Sequence, residues 1–344
     1  MRAVRFHDYG AEDVLTVDEV PEPAISPDEV LVRVHSCAVN HLDLDFRAGV
    51  SRIPLTLPHI LGMEVAGDVV AVGTNVASLH PGDRVMTIAD IVCRACAYCT
   101  TGRDNMCTGA LRPGWNAPGG YADYLCVPER GAIPIPESVS YDAAAVLQIS
   151  CGTAWHMLIT RGQLRVGETV VVNAVGSGIG SAALQLAKLA GAHVIATAGS
   201  DEKLARAIAD GADATVNYRR ENLAEAVRDL TNGRGANLIF EHVGGDVFTQ
   251  SATCLAPSGR MVVCGGHAGE LAGLDVIDFF RKEATIIGST SATQEEIRIV
   301  LDLVARELLR PPIYRAFPLH EAAEAHRTLA GRQHYGKVVL HPVA

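Results

Sequence analysis

Four of the nine cysteines in this chain lie within fifteen residues. The segment CRACAYCTTGRDNMC, residues 93–107, has the spacing C-x2-C-x2-C-x7-C. Thiolates at this spacing can bind one zinc ion tetrahedrally, and four cysteine ligands leave no open coordination position. The sequence therefore predicts a structural zinc site rather than a catalytic one. The predicted ligands are Cys93, Cys96, Cys99 and Cys107.

The cellular compartment bears on the state of these cysteines. The first residues, MRAVRFHDYGAED, are mixed and partly charged and contain no apolar segment typical of a signal peptide. We therefore expect a cytoplasmic, reducing environment, in which a tight cysteine cluster binds metal more often than it forms disulfides. A disulfide-bonded cluster is the alternative.

A glycine-rich string indicates a second site. VVVNAVGSGIGSAALQLAK, residues 170–188, is typical of a strand, a turn and a helix. Glycines let the backbone approach a pyrophosphate, and the helix N-terminus offers free N–H groups and a positive dipole end. The string departs from an exact G-x-G-x-x-G, but it lies at the first strand–helix turn of six, which favours dinucleotide binding over a merely tight turn. The predicted contacts are Gly176, Ser177, Gly178, Ile179 and Gly180.

The choice of nucleotide depends on the end of the following strand. An acid there would bind the ribose 2′-hydroxyl and repel a 2′-phosphate. The strand ends in the uncharged residues 198–200, and basic or polar residues follow, which favours NADP(H). Asp201 is the counter-argument, although its position also suits an acid in the first turn of a helix. The predicted contacts are Ser200, Lys203, Tyr218 and Arg219.

Strand and helix patterns place the two sites in different domains. Residues 1–149 contain short strands such as DEVLVRVHSCAV, typical of a small β-barrel or sandwich. From residue 150, apolar strands alternate with amphipathic helices, which predicts a parallel, doubly wound sheet. The six predicted strands are 168–174, 193–198, 214–217, 237–243, 260–265 and 284–289.

The last part of the chain contains two helical patterns, TQEEIRIVLDLVARELL and LHEAAEAHRTLA, and a short strand, GKVVLHPV. Because six strands already complete the sheet, we expect this tail to pack on the N-terminal domain.

Composition excludes some classes of partner. The 344 residues carry a formal net charge of −10 and contain no run of five to eight lysines and arginines, so we expect no nucleic-acid partner. The uncharged stretch 169–187 contains Asn173 and three glycines, and it predicts a strand, turn and helix rather than a membrane span. We expect a small-molecule substrate and no membrane association.

Taken together, these motifs resemble the medium-chain dehydrogenase/reductase superfamily, which includes zinc alcohol dehydrogenases and quinone oxidoreductases. The resemblance covers essentially the whole chain, and the cysteine segment matches the structural zinc lobe of the alcohol dehydrogenases. It implies an α/β fold with a GroES-like β-barrel catalytic domain at 1–149, including the zinc lobe 93–107. A Rossmann cofactor domain at 150–289 and a return segment at 290–344 follow.

The catalytic zinc ligands of the superfamily do not carry over. Asn40 in NHLD stands where the first ligand is a cysteine, Met63 in GME replaces the histidine, and Ile149 in ISCGTAW replaces the third ligand. Asn, Met and Ile cannot form a zinc site that binds an alkoxide. The alternative is a catalytic metal site rebuilt from neighbouring residues, namely Cys37, His41, His59, Glu64 and Cys151.

The segments AVNHLDL and ILGMEVAG resemble the zinc-independent quinone-reductase branch, which implies hydride transfer from NADPH to a quinone, enone or enal. Asn40 would face the nicotinamide or substrate and donate a hydrogen bond, and His41 or Asp43 would relay a proton. Glu64 would face the vacated metal position. Asp43 has an alternative role, tying its loop to the tail at Lys337.

The resemblance also implies further contacts with the cofactor. Thr153 is expected to cap a helix near the nicotinamide phosphate, and the segments CGG and GSTS, residues 264–266 and 288–291, to line the nicotinamide pocket. The additional predicted cofactor contacts are Thr153, Val243, Gly265, Gly266, Ser289 and Lys337.

Two rival functions stay open at this point. One is a zinc alcohol dehydrogenase or aldehyde reductase with a rebuilt site, and the other is a non-catalytic NADPH-binding protein. Relatives pair through the edge of the cofactor-domain sheet, which implies a homodimer, with a tetramer as the alternative. The substrate itself does not follow from the sequence.

Overall fold

The computed structural model describes residues 1–342. The chain divides into two compact units. Residues 1–149 and the segment from residue 293 onward form the first, which we call the β unit, and Ser150–Ala292 form the second, the α/β unit. None of the helices within residues 1–342 is long and apolar enough to cross a membrane.

The long third strand organises the β unit. β3, with the sequence EVLVRVHSCAV, is rich in β-branched residues and largely buried. It is followed by α1, which starts directly after Asn40 and ends at Gly49, whose φ of 70° suits glycine. The strands of this part are β1 Arg2–Phe6, β2 Thr16–Glu19, β3 Glu29–Val39, β4 His59–Ile60, β5 Val65–Val72, β6 Arg84–Thr87, β7 Tyr124–Pro128 and β8 Ala132–Pro134, and its helices are α1 His41–Ala48 and α2 Tyr141–Ala145.

The partners of β3 determine what meets at its C-terminal end. β5 runs antiparallel along one side of β3, and Gly67 of β5 allows the close approach, since a Cβ there would lie 1.9 Å from the carbonyl oxygen of Arg33. β7 pairs with the first half of the other side. β1, β2 and β4 form a separate antiparallel sheet of three strands. β7 covers only the first half of its side of β3, so the second half of that side can pair with a strand from the tail.

The α/β unit contains the predicted doubly wound sheet, and all six predicted strands are present. They run parallel in the order β11-β10-β9-β12-β13-β14, with Val171, Ile195 and Ile239 fully buried in the core. The strands are β9 Thr169–Val172, β10 His193–Ala198, β11 Ala214–Asn217, β12 Ala236–Glu241, β13 Leu255–Val263 and β14 Thr285–Gly288. The helices are α3 Thr153–Trp155, α4 Gly178–Leu189, α5 Asp201–Ala209, α6 Leu223–Leu230, α7 Gly245–Thr253 and α8 Val276–Arg281.

Strand ends differ from the prediction where turns intervene. β9 ends at 172 rather than 174 because Ala174 turns into the left-handed region with a φ of 44°. β12 ends at 241 rather than 243, shortly before Gly244, where φ is again positive. β13 begins at 255, earlier than the predicted 260, because its pairing with β12 continues across a register shift. The residues APSG at that shift look like a turn in the sequence.

The tail completes the sheet around β3. It consists of α9 Gln294–Ala305, β15 Ile313–Pro318, α10 Ala322–Ala330 and β16 Lys337–His341. β16 runs antiparallel to β3, with Val338 opposite Val39, and β15 pairs parallel with β16. The predicted helices and the strand GKVVLHPV are present, but β15 was not predicted. Residue 343 of that predicted strand and residue 344 lie outside the described residues.

Candidate active site

Three polar side chains meet in the interior of the β unit. Asn40 follows the end of β3, Glu64 directly precedes β5, and Lys337 opens β16. Because β5 and β16 lie on opposite sides of β3, all three residues arrive at the same end of that strand. Asn40 is 7% exposed, Glu64 1% and Lys337 7%. Polar groups buried to this extent require partners, and here they find one another.

The hydrogen bonds in this cluster are mutual. The Lys337 ammonium donates to Oδ1 of Asn40 at 2.5 Å and to Oε2 of Glu64 at 3.4 Å. Asn40 donates through Nδ2 to the same carboxylate oxygen at 3.2 Å. The other carboxylate oxygen accepts the backbone N–H of Ile149 at 2.7 Å. The cluster therefore holds one buried cation and one buried anion in compensating positions.

The positions that hold catalytic zinc in the resembled dehydrogenases do come together here. Asn40 and Ile149 both donate to Glu64, and Met63 directly precedes it. A carboxamide, a thioether and an alkyl chain do not fit a zinc ion. The cation that occurs at this place is the ammonium of Lys337.

The residues considered for a rebuilt metal site do not provide a second ligand set. Within residues 1–342, Cys93, Cys96, Cys99 and Cys107 are the one group of three or more candidate ligands whose donor atoms lie within 4.8 Å of one another. His59 hydrogen-bonds to the carbonyl of Gly114 at 3.0 Å.

Asp43 has a different partner from the one predicted. Its Oδ2 accepts the backbone N–H of Asn40 at 2.8 Å and its Oδ1 accepts that of Gly62 at 3.3 Å. Burial raises the pKa of Asp43 to about 7, against the opposing effect of these backbone hydrogen bonds. The predicted tie to Lys337 was wrong, because Lys337 bonds to Asn40 and Glu64 instead. Asp43 fastens the β3–α1 turn, and with it the backbone of Asn40.

His41 begins α1, and its side chain is partly exposed. Its position next to Asn40 along the chain is compatible with the proton relay predicted for it, which stays a prediction.

A buried chain of hydrogen bonds extends from Asp43 and was not foreseen. Arg47 lies 3.3 Å from Nδ1 of His326, and Nε2 of His326 lies 3.0 Å from the hydroxyl of Tyr121. Because a guanidinium can only donate, Nδ1 is the acceptor and Nε2 carries the hydrogen. The Tyr121 hydroxyl in turn donates to Oδ2 of Asp43 at 3.5 Å. The sequence separation of 205 between Tyr121 and His326 explains why no sequence pattern indicates this contact.

The glycine-rich turn of the α/β unit has the geometry of a dinucleotide site. Ser177 caps α4 by accepting the N–H of Gly180 at 2.9 Å. A Cβ at position 180 would lie 2.5 Å from the carbonyl oxygen of Ala174, so only glycine permits this close packing of helix against strand end. Ser177 and Gly178 are partly exposed at the start of a helix of 12 residues, whereas Gly176 is buried, and the cofactor contacts predicted at 176–180 stay a prediction.

Glu241 lies beneath this turn and was missed by the sequence analysis. Its Oε1 accepts the backbone N–H groups of Val243 at 2.6 Å and Gly244 at 2.7 Å. Its Oε2 accepts from the side-chain amide of Asn173, which also donates to Ser251 at 2.8 Å. The carboxylate thereby joins the end of β9 to the loop after β12, where the predicted contact Val243 lies. An acid that ends the apolar strand ANLIFE was the available signal.

The end of β10 has a basic environment. A Cβ at Gly199 would lie 2.8 Å from Nε of Arg219 and 3.0 Å from the hydroxyl of Tyr218, so both side chains lie over this strand end. A Cβ at Gly176 would lie 2.7 Å from Cδ of Lys203, so that side chain lies over the glycine-rich turn. Ser200 caps α5 by accepting the N–H of Lys203 at 3.4 Å. The C-terminal end of β10 is therefore surrounded by the predicted residues Ser200, Lys203, Tyr218 and Arg219.

Asp201 is engaged elsewhere. Its carboxylate accepts from Asn217 at 2.7 Å and from Arg220 at 2.7 Å. It is the first residue of α5, which agrees with the interpretation as a helix-start acid.

The remaining predicted cofactor contacts are divided. Gly265 and Gly266 follow β13 and line a cavity of about 320 Å³ together with Gly244 and Phe248. Ser289 follows β14 and donates its backbone N–H to Val263 at 2.9 Å. The capping role predicted for Thr153 was wrong: Thr153 is the first residue of α3, but the helical turn at Leu147–Gly152 runs directly into it, and no side chain caps α3.

The four cysteines of the lobe are arranged as a metal site requires. The sulfur atoms of Cys96 and Cys99 lie 3.5 Å apart, and those of Cys93 and Cys99 3.9 Å apart. Backbone N–H groups lower the pKa of the Cys96 thiol, which favours the thiolate that zinc binds, whereas burial and the neighbouring thiols raise the pKa of Cys99. The donor set fits a tetrahedral zinc ion. Asp104 in the same lobe accepts the backbone N–H of Gln294 at 3.2 Å and so attaches the lobe to the start of α9.

Comparisons with known families agree with this geometry. Residues 26–137 match the model of the alcohol dehydrogenase GroES-like domain, and residues 178–306 match that of the zinc-binding dehydrogenases.

Individual relatives extend along the whole chain. A quinone oxidoreductase of Pseudomonas aeruginosa is 31% identical over 99% of both chains. A quinone oxidoreductase of Homo sapiens is 30% identical over 99% of this chain and 97% of the relative. A solved structure described as an NAD-dependent alcohol dehydrogenase is 40% identical over 100% of both chains, with a TM-score of 0.94. A structure from Sinorhizobium meliloti 1021, assigned to the zinc-binding dehydrogenases and bound to NADP, is 29% identical over 99% of both chains, with a TM-score of 0.90.

Proposed function

The chain belongs to the medium-chain dehydrogenase/reductase superfamily, and from this membership we propose that it is an NADPH-dependent reductase of quinones or conjugated carbonyl compounds that uses no catalytic metal. That the protein is an oxidoreductase follows from its family. The finer assignment depends on its own residues.

The buried cluster of Asn40, Glu64 and Lys337 is the observation that carries the proposal. An alcohol is oxidised by its relatives through a metal-bound alkoxide, and the residues at that position here do not bind zinc. An activated C=C bond or a quinone requires only a hydride and a hydrogen-bond donor for the oxygen that becomes negative. Asn40 is such a donor, with its backbone fastened by Asp43 and its amide held by Glu64 and Lys337.

The chemistry balances without a further redox partner. NADPH, when bound, supplies a hydride to the β-carbon of an enone, and the electron pair of the C=C bond moves toward the carbonyl oxygen. Asn40 donates an N–H to that oxygen while the enolate forms. A proton from water, passed through His41, then adds to the α-carbon and completes the saturated product. With a quinone, the same hydride and proton give the hydroquinone.

We assign supporting roles to Asp43 and Glu64, which hold Asn40 in position. Asp43 accepts a backbone N–H on each of its oxygens and so holds the Asn40 backbone. Glu64 orients the Asn40 amide from the interior.

The NADPH preference is supported by the basic residues at the end of β10. Arg219 and Lys203 lie where a 2′-phosphate is bound in this type of fold, and the carboxylate of Asp201 is held by Arg220 and Asn217. The cysteine lobe would hold one structural zinc ion, whose chemistry is limited to binding four thiolates.

We also propose a cytoplasmic homodimer that binds neither nucleic acid nor membrane, with a tetramer as the alternative. β14 is an edge strand of its sheet, and nearby α8 exposes Val276, Ile277 and Phe280 by 66%, 56% and 60%. An unpaired edge beside exposed apolar residues favours pairing with a second copy. Light scattering should give twice the chain mass, and a lower mass for Phe280→Glu; a monomeric wild type would exclude the dimer.

The proposed reaction is tested by following NADPH absorbance with a panel of quinones and enones, and by identifying the products. The zinc content of dialysed protein is measured in parallel. Saturable turnover to hydroquinone or saturated ketone, with zinc confined to the cysteine lobe, is the expected result. Tight NADPH binding without turnover of any acceptor would instead favour a non-catalytic binding protein.

A second candidate is an alcohol dehydrogenase that uses NAD. It is favoured by the 40% identity to a structure described as an NAD-dependent alcohol dehydrogenase and by 31% identity to an enzyme of that name from Sulfolobus acidocaldarius. It predicts alcohol oxidation with NAD⁺ and a second zinc ion that survives in a Cys93→Ala/Cys96→Ala variant. Those two results together would overturn the reductase proposal.

A further inference from the structure

We propose that Lys337 is a positioning residue that supplies, through Asn40, the fixed positive charge that a metal ion supplies in related zinc enzymes. The inference rests on the proposed function, because it concerns the negative charge that develops on the substrate oxygen. Lys337 was expected among the cofactor contacts, and the structure gives it a different environment.

The burial of Lys337 is the first argument. Its side chain is 8% exposed, and that of its ion-pair partner Glu64 is 2% exposed. Lysine is almost never buried this deeply unless it is paired, because its strongly hydrated ammonium loses its water. The residue reaches this interior because β16 places it directly beside the end of β3.

The direction of the hydrogen bonds is the second argument. The ammonium donates to Oδ1 of Asn40, so Oδ1 and Nδ2 of that amide have only one consistent assignment. Nδ2 carries two hydrogens, and its bond to Glu64 uses one. The other is the donor that we assign to the substrate oxygen. A cation on the amide oxygen polarises the group and makes this N–H a stronger donor.

A simpler role must be distinguished from this one. Lys337 also neutralises the buried carboxylate of Glu64, and pairing with a cation is a common way to stabilise a buried carboxylate in any protein. In that case, removing both charges together would restore the protein. If the charge of Lys337 acts on the reaction through Asn40, removing both charges restores folding but not the rate.

The dependence on the acceptor gives a second distinction. A less activated acceptor yields a more basic enolate, which places more negative charge on its oxygen in the transition state. Stabilisation by a polarised donor therefore matters more for poor acceptors than for strongly activated quinones. A general loss of structure would lower the rate with all acceptors by the same factor.

The test compares Lys337→Met, Lys337→Arg and the double variant Glu64→Gln/Lys337→Met. The matched control is Arg260→Met/Glu168→Gln, which removes a half-buried ion pair of 2.6 Å from the α/β unit. Each protein is measured for its unfolding midpoint, for NADPH affinity by fluorescence and for kcat and KM with a graded series of enones and quinones.

We expect Lys337→Met to unfold at a lower temperature and the double variant to recover most of that loss. The double variant should keep its NADPH affinity and lose kcat by a factor on the order of 10² with the poorest enone, as after removal of one oxyanion donor, and by much less with the best quinone. Lys337→Arg should retain part of the rate. The control pair should show no dependence on the acceptor.

A double variant with wild-type kcat for every acceptor, or one that loses the same factor with all of them, would overturn the role of Lys337 and leave the reductase assignment intact. A wild-type protein that reduces none of the acceptors would overturn the proposed function, and this inference with it.

Discussion

The hydroxyl of Tyr121 lies 3.0 Å from Nε2 of His326, and neither residue has any solvent exposure. Burial, together with the smaller effect of the neighbouring charge of Arg47, lowers the pKa of His326 to about 3. His326 is therefore neutral in the folded protein at any pH at which the protein is handled. This contact makes the stability of the β unit depend on pH.

His326→Gln should remove one part of the acid sensitivity. The folded pKa lies below the ordinary 6.5, so the unfolded chain binds a proton between pH 6.5 and about 3 that the folded protein does not bind. The stabilising effect is complete above pH 6.5 and is lost as the pH falls, by about 1.4 kcal/mol per pH unit. Urea unfolding at several pH values gives the free energy of unfolding of the wild type and the variant. The difference between these two free energies should shrink below pH 6.5.

Asp43 provides the internal control for that measurement, because burial raises its pKa to about 7 and its effect has the opposite sign. Its contribution is complete at low pH and is lost as the pH rises toward 7. The difference in the free energy of unfolding between the wild type and Asp43→Asn should thus shrink as the pH rises through this range. A His326→Gln difference that stays constant from pH 7 to pH 4 would contradict a neutral buried histidine.

Arg219→Ala should weaken NADPH binding selectively. A charge-assisted hydrogen bond to a phosphate contributes about 1.5–3 kcal/mol, so we expect KM for NADPH to rise roughly 10- to 100-fold with little change for NADH. Initial rates measured with NADPH and with NADH give the KM for each cofactor and the ratio of the two values. Arg228→Ala is the matched control, since its exposed side chain lies in the last turn of α6. Equal losses for both cofactors in Arg219→Ala would exclude contact with a 2′-phosphate.

Cys96→Ser should remove the zinc of the lobe. Elemental analysis is expected to find one zinc ion per wild-type chain and almost none in the variant, because three thiolates bind zinc far less tightly than four. Loss of the metal should also loosen Asp104 from the start of α9, which hydrogen exchange at Gln294 can detect. Cys126→Ser, outside the lobe, should retain its zinc. Full zinc in Cys96→Ser would disprove the assigned ligand set.

Glu241→Gln should weaken both NADPH and NADH. A glutamine amide would present N–H hydrogens to at least one of the donors that Glu241 now accepts from, which leaves a buried donor unpaired and costs about 1–3 kcal/mol. Because the same carboxylate holds the loop at 243–244 and Asn173 below the glycine-rich turn, cofactor affinity should fall together with the unfolding midpoint. Glu202→Gln, on the exposed side of α5, should change neither value.

Local patterns were enough to predict the α/β unit and the cluster of four cysteines at 93–107. The six strands, the turn at 174–180 and the four cysteines each depend on residues close together in the chain, where spacing and period directly reflect geometry. The sequence also indicates that Asn40, Met63 and Ile149 are not zinc ligands, because this conclusion depends only on the chemistry of each side chain. These features the amino-acid sequence determines by itself.

The tertiary structure decided which polar residues meet. Lys337 was predicted as a cofactor contact, with a tie to Asp43 as the alternative, but it bonds to Asn40, 297 residues away, and to Glu64, 273 residues away. The hydrogen bonds of Tyr121 with His326 and of Glu241 with Asn173 were likewise not predicted, and neither was β15. Such contacts depend on which strands are neighbours in a sheet and in what register. A shift of one residue would turn Lys337 to the other face of β16, and packing of the whole unit, rather than any local pattern, selects the register.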